Sequence, residues 1–294
     1  MKIVIVGLGV IGGSYALALK NCGYNDVYGI DTDVSALNIA ENKGIIKKGF
    51  TDGKEILNHC DLVILSIYPD SVVKFLTKNK AFFKSGAVLT DTTGIKVSLV
   101  SNIEKILRDD IEFVFGHPMA GREKKGLAYA DSKVFKGANY IITPTNRTSS
   151  NAINIVEKLA LDIGFKRVTK VHPKEHDALI AFTSQLPHII AVALINSDDE
   201  KYETGKFIGD SYRELTRISN INGELWTELF LNNKENLLKS IDNFEKQLTL
   251  LKNGLIENDK NLLMNLFRES SIRREKLESV SYTHLRAHET LSDL

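Results

Sequence analysis

At 294 residues the chain is long enough for one large domain or two ordinary ones, and 43% hydrophobic with 26% charged residues is the balance of a globular protein. Thirty-eight basic against 37 acidic residues leave a net charge of +1, which gives no reason to expect nucleic acid or an anionic membrane as a partner. Two cysteines, Cys22 and Cys60, argue against a disulfide framework and fit a reducing compartment.

The first element is a β-branched run, Ile3-Val4-Ile5-Val6, which reads as a buried parallel strand. Gly7-Leu8-Gly9-Val10-Ile11-Gly12 follows at once, and residues 14–20 continue as a helix. In such a turn the first glycine permits the bend, the second lets a pyrophosphate reach bare backbone, and the third lets helix and strand pack closely. The helix start offers N–H groups and partial positive charge to that pyrophosphate. A second strand over residues 27–30 ends in Asp31, 19 residues after Gly12, where a carboxylate can accept from a ribose 2′-hydroxyl. Asp31-Thr32-Asp33 would repel a 2′-phosphate and supplies no arginine to hold one, so NAD is expected over NADP.

Further on, residues 35–42 read as a helix, 62–67 as a buried strand and 71–76 as a helix capped by Asp70 or Ser71. Residues 87–91 and 113–115 read as strands with a helix over 98–107 between them. Residues 140–142 form another strand, and a helix over 152–163 stops at Gly164. Strands alternating with helices imply a parallel sheet wound on both faces, whose ligands bind at the carboxyl ends of the strands. Gly7, Asp31, Ser66, Asp91 and His117 fall at those ends. From about residue 171 only helical periodicity remains, over 174–196, 205–219, 223–253 and 257–278. The expectation is an α/β chain: an N-terminal Rossmann-type doubly wound parallel sheet over residues 1–166, followed by an all-helical C-terminal dimerisation domain over 167–280. Long amphipathic stripes such as Leu237, Ile241, Phe244, Leu248 and Leu251 point to a homodimer. Residues 281–294 do not continue the helical pattern and read as a non-native, read-through tail. No apolar run reaches membrane-spanning length, and a strand starting at residue 2 leaves no room for a leader, so a cytoplasmic protein is expected.

Several side chains could carry chemistry. His117, hemmed by Gly116 and Pro118 at the ligand edge, can take a proton from a hydroxyl while nicotinamide accepts hydride; a structural turn histidine is the equal alternative. Ser184 and His188 lie four apart on one helical face, where a histidine is also commonly a satisfied core residue. Pro187 between them should kink the helix. Arg217 amid apolar neighbours, nine residues before Trp226, fits bidentate capture of a carboxylate or a plain ion pair. His172 and His176 flank a helix start and read as capping residues, because no ligand cluster makes them a metal site.

Taken together, GLGVIGGS at 7–14, DTTGIK at 91–96, GHPMAGREKKG at 116–126, SQLPH at 184–188, GDSYRELTRIS at 209–219 and LW at 225–226 resemble the prephenate/arogenate dehydrogenase family over residues 1–280. The resemblance implies NAD-linked oxidative decarboxylation of prephenate to 4-hydroxyphenylpyruvate on the route to tyrosine, or of arogenate to tyrosine. It implies that His117 bonds the ring hydroxyl, that Arg217 binds a substrate carboxylate, and that Ser184, His188 and Trp226 line the substrate pocket. Glu123, Arg213 and Glu214 would stand at its mouth. Two positions depart from the pattern. Gly94 replaces a serine that partners the histidine in many relatives, leaving Thr92, Thr93 or water to supply a hydroxyl, and Gln185 stands where others have histidine. The loss at Gly94 also makes a catalytically silent NAD-binding sensor conceivable, and the scaffold alone would allow another hydroxyacid or imine oxidoreductase. With no sequence expected for a regulatory domain after residue 280, any inhibition by tyrosine is expected to act at the active site.

Overall fold

The computed structural model describes residues 1–121 and 124–289, with residues 278–289 described by backbone alone. Its centre is one eight-stranded sheet: β1 (Ile3–Val6), β2 (Val27–Ile30), β3 (Gly49–Phe50), β4 (Leu62–Leu65), β5 (Val88–Asp91), β6 (Glu112–Pro118), β7 (Asn139–Thr143) and β8 (Arg167–Lys170). The spatial order is β3-β2-β1-β4-β5-β6-β7-β8. All neighbours run parallel except β6 and β7, which pair antiparallel with His117 opposite Ile141.

The strand sequences explain why both faces are covered. Successive side chains point to opposite sides, so a strand buried twice must be apolar at every position. Ile3, Ile5, Leu62 and Ile64 enter one core with Tyr15 and Leu19 of α1 (Val10–Asn21), Leu37 of α2 (Val34–Asn42) and Val156 of α5 (Ser150–Asp162). Val4, Val6, Val63 and Leu65 enter the other with Val72 of α3 (Pro69–Asn79) and Leu99 of α4 (Val97–Glu104). Each such fully buried aliphatic stabilises the fold by about 1.5–3 kcal/mol. Because β1 leads outward to β2 and β3 while β4 starts the other half, the order reverses between β1 and β4, and a crevice opens at their carboxyl ends.

The helical part begins with α6 (Pro173–Ile180), passes through a π-helical turn (Ala181–Gln185) and continues as α7 (Leu186–Asn196). Shorter helices α8 (Asp210–Thr216) and α9 (Gly223–Asn232) precede two long ones, α10 (Lys234–Ile256) and α11 (Lys260–Glu289). The chain divides into two compact units, Met1–Leu237 and Leu238–Leu294. In the second, Asn258 turns with φ of 51°, Asp259 caps α11 by accepting from the Leu262 N–H at 2.9 Å, and Gly254 leaves room for Leu263.

Several elements differ from the sequence reading. Strand β8 lies beyond the expected boundary at residue 166 and belongs to the sheet. Pro69 opens α3, so Tyr68 rather than Asp70 or Ser71 precedes the helix. The periodicity over 223–253 is two helices broken at Asn233, whose buried side chain bonds outward to Asp177 O (2.8 Å) and Gln185 Oε1 (2.9 Å). Helix α11 runs on to Glu289, past the expected stop at residue 280, and residues 290–294 lie outside the described residues. By fusing two segments, the rod Pro173–Asn196 becomes one helix long and apolar enough to cross a bilayer by length and composition, which no uninterrupted apolar run had indicated. That rod holds buried His176, Asp177 and Gln185, each hydrogen-bonded to protein.

Candidate active site

The glycine turn shows three different reasons for having no side chain. Gly7 has φ of +88°, and a Cβ there would lie 2.5 Å from Ser66 O. At Gly12 a Cβ would come within 1.8 Å of Gly7 O, so the helix could not pack on the turn. Gly9 meets nothing within 4 Å. The bare backbone at Gly9 therefore faces open space, and no side chain caps the N-terminus of α1 behind it. This is a cradle for a pyrophosphate, with Val10, Ile11 and Gly12 supplying the first helical turn. Asp31 grips the same loop: its Oδ2 accepts from the Leu8 N–H at 2.6 Å and its Oδ1 from the Asp33 N–H at 2.9 Å. Leu8 itself is buried beneath the turn, so it shapes the cradle and turns its N–H to Asp31. Ser66 stands across the crevice at the end of β4, its hydroxyl accepting from Thr92 Oγ1 at 3.3 Å.

Beneath the crevice lies a buried ion pair, Lys96 with Asp91, at 2.5 Å and with no solvent exposure on either side chain. Asp91 Oδ1 also accepts from the Gly116 N–H at 3.1 Å, and its Oδ2 from the Thr93 N–H at 3.0 Å. The Thr93 hydroxyl is committed to Asp91 Oδ2 and Ile95 O. Asp91 and Thr93 are both buried, and these bonds of their side chains run to protein groups under the site. Burial pushes the Lys96 amine down, against the pull of Asp91.

His117 is held near the end of β6 rather than in a turn after it. Its Nδ1 lies 2.9 Å from His176 Nε2, and His176 Nδ1 lies 2.7 Å from Asp177 Oδ1. The Asp177 carboxylate accepts in addition from the backbone N–H groups of Lys96 and Val97, both at 2.8 Å, and so caps α4 from another helix. His117 is kept well below the usual histidine pKa, chiefly by burial and then by neighbouring His176 and Lys96. His176 is lowered by burial, with its bond to Asp177 opposing. On the far side of the His117 ring, a Cβ added to Gly94 would lie 3.7 Å from Nε2 and 3.5 Å from Leu229 Cδ2. The Thr92 hydroxyl donates to Ser66 Oγ and the Thr93 hydroxyl to Asp91 Oδ2.

The opposite wall comes from the helices. Pro187 has no N–H to give the preceding turn, and the rod widens into its π-helical turn just before it. His188 Nδ1 donates to Ser184 O at 2.8 Å, which fixes its tautomer, and its ring stacks on Trp226 with centroids 3.7 Å apart. Three residues on from Trp226, Leu229 reaches Gly94, and its carbonyl accepts from Gln185 Nε2 at 3.2 Å. Gln185 thus serves a buried amide network with Asn233. The Asn222 amide donates to Tyr68 Oη at 2.6 Å and Glu228 accepts from the Asp70 N–H, so α9 is tied to the loop after β4. Burial raises the Glu228 carboxyl.

His117 and Leu229 thus stand beside Gly94, and His188 stacks on Trp226 three residues before Leu229 on α9, all within Met1–Leu237. Arg217 is exposed just after α8, a helix that packs on α7. Arg213 pairs with Asp210 at 3.2 Å on the surface, Glu214 is exposed, and Glu123 lies outside the described residues. His172 caps α6 through Lys174 N, as expected. His176 does not: it is buried against His117. A histidine and aspartate in succession, three and four residues before apolar Ile180 on the buried stripe, were the available signal.

Comparison with known proteins divides the chain near residue 170. Residues 15–169 match the prephenate dehydrogenase nucleotide-binding domain, and residues 172–269 match the prephenate dehydrogenase dimerization domain. The chain is 31% identical to the prephenate dehydrogenase of Lactococcus lactis, over 94% of this chain and 77% of that protein. It is 28% identical to the cyclohexadienyl dehydrogenase of Zymomonas mobilis, over 94% and 96%. A crystal structure of prephenate dehydrogenase from Aquifex aeolicus with hydroxyphenyl propionate and NAD+ superposes with a TM-score of 0.86 at 32% identity, covering 94% of this chain and 98% of that one. With a cradle shaped for NAD and these matches along nearly its whole length, the chain belongs to the prephenate dehydrogenase family of NAD-dependent oxidoreductases.

Proposed function

We propose that this protein oxidises and decarboxylates prephenate to 4-hydroxyphenylpyruvate in tyrosine biosynthesis, with His117 as the base. The observation that carries this reading is a half-buried imidazole, its pKa held below the usual histidine value, anchored at the mouth of a nucleotide crevice with one nitrogen turned toward Gly94. Bound NAD supplies the hydride acceptor. His117 takes the proton of the ring hydroxyl as hydride leaves the same carbon, the ring carboxylate departs as carbon dioxide, restoring aromaticity, and the resulting phenolate oxygen regains the proton. His188 and Trp226 form an aromatic wall for the ring, Ser184 orients His188 through its carbonyl, and Arg217 binds a substrate carboxylate. The hydroxyphenyl propionate bound by the Aquifex enzyme, a phenol with a carboxylate tail, supports that division of roles. The cradle residues Gly7, Leu8, Gly9, Val10, Ile11, Gly12, Asp31 and Ser66 hold the dinucleotide.

The same proposal includes a homodimer formed through the helices after residue 170. The matched dimerization domain supports it, as do exposed Leu248, Leu255, Met264 and Phe267 on α10 and α11. A cytoplasmic location is part of the same proposal, which free Cys22 and Cys60 fit. Arogenate is the second substrate to test, since the matched Zymomonas enzyme is named for the cyclohexadienyl ring that both compounds share. Initial rates with prephenate and with arogenate, each with NAD and NADP, decide the matter. NADH formation fastest with prephenate is expected; NAD binding without turnover of either substrate would make the protein a sensor.

A further inference from the structure

His176 is 1% exposed and lies outside the roles assigned above. A carboxylate oxygen only accepts, so the 2.7 Å contact with Asp177 Oδ1 places the hydrogen of His176 on Nδ1. Its Nε2 is then an acceptor, and the 2.9 Å contact with His117 requires the hydrogen on His117 Nδ1. A neutral imidazole has one N–H. The bare nitrogen of His117 is therefore Nε2, the one beside Gly94. Asp177 cannot easily swing away, because the N–H groups of Lys96 and Val97 hold both its oxygens.

We propose that His176 and Asp177 are positioning residues that lock the ring and tautomer of His117, presenting unprotonated Nε2 to the substrate hydroxyl. This rests on the reading of His117 as base and extends it. When Nε2 accepts the proton, the imidazolium donates from Nδ1 to His176, and the dipole backed by Asp177 stabilises the new charge without a second transfer. The arrangement stands in for a hydroxyl partner at position 94: the ring is steered from behind. Charged and titratable groups around it are His176 and Asp177 from α6, Lys96 from the loop before α4, Asp91 from β5 and Tyr140 from β7, which sits against Gly116.

Two measurements test it. In 15N-histidine-labelled wild-type protein at pH 7.5, with the His117 pair assigned by its loss in His117→Asn, we expect a protonated Nδ1 and a bare Nε2. The opposite tautomer overturns the proposal. In kinetics, His176→Phe keeps the ring volume but removes the acceptor. It should lower kcat by roughly 10- to 100-fold with KM little changed, and move the acid limb of kcat/KM to lower pH. His176→Gln offers an amide oxygen to the same N–H and should recover most of the loss. A folded His176→Phe with wild-type kcat and an unmoved limb overturns the proposal, and should that variant not fold, the NMR result decides. If instead His117→Ala retains turnover while the tautomer is as stated, the base assignment fails and the locking of the ring survives.

Discussion

Single residues in this protein separate by what occupies the space next to them. Gly9 and Gly12 belong to one short turn, yet an added methyl would meet open space at Gly9 and a backbone oxygen at 1.8 Å at Gly12. Gly9→Ala should therefore unfold at the wild-type temperature but bind NAD at least tenfold more weakly, because the methyl occupies the pyrophosphate's approach. Gly12→Ala should lose stability as well. Thermal melts with and without NAD check both, and equal behaviour of the two variants would show that the turn is read wrongly. The glycine spacing and the places of Asp31 and His117 at strand ends were legible in the sequence because each belongs to a local pattern. The stack of His188 on Trp226, by contrast, joins residues far apart in the chain. The roles of Thr93, Asp91 and His176 were not legible. Their partners lie across the fold, and nothing in DTTGIK indicates that Lys96 turns inward to Asp91.

Elements cooperate here through buried polar groups rather than through apolar contact alone. The loop from β5 to α4 is pinned from below by the Lys96–Asp91 pair and from the side by Asp177 of α6. Removing one member leaves the other charged and buried, which costs far more than the pair itself contributes. Lys96→Met should destabilise the protein by about 3–5 kcal/mol in urea unfolding, and Asp91→Leu on that background should restore part of the loss. A cost under about 1 kcal/mol would mean that the pair is solvated. Periodicity located six of the eight strands, missing β3 and β8, and it could not place the helix ends that polar contacts set. Asn233 interrupts one long apolar stripe because its amide is needed at Asp177 and Gln185, and the two-residue strand β3 is too short to carry a pattern.

For the whole molecule, buried His176 and half-buried His117, side by side with lowered pKa values, make both stability and activity depend on pH. Their native pKa values lie below the unfolded value near 6.5, so as pH falls through that value the unfolded chain takes up protons that the native state refuses. Stability is complete above about pH 6.5 and declines below it, by up to ~1.4 kcal/mol per pH unit for each histidine. Asp110, held near 2 by Arg108, loses its contribution only below about pH 4 and does not confuse that window. Melting temperature should fall by several degrees between pH 7.5 and 5.5, and a flat profile there would show that the histidines are protonated in the fold. By the same shift, the acid limb of kcat/KM should lie below pH 6.5, in keeping with a base that burial keeps neutral.

An imidazole at the crevice mouth that removes the substrate's hydroxyl proton makes steady-state NADH formation from prephenate by His117→Ala the decisive measurement. With NAD affinity and melting temperature retained, kcat should fall by a factor on the order of 10² or more. Turnover at the wild-type rate in that variant would contradict that role of the imidazole.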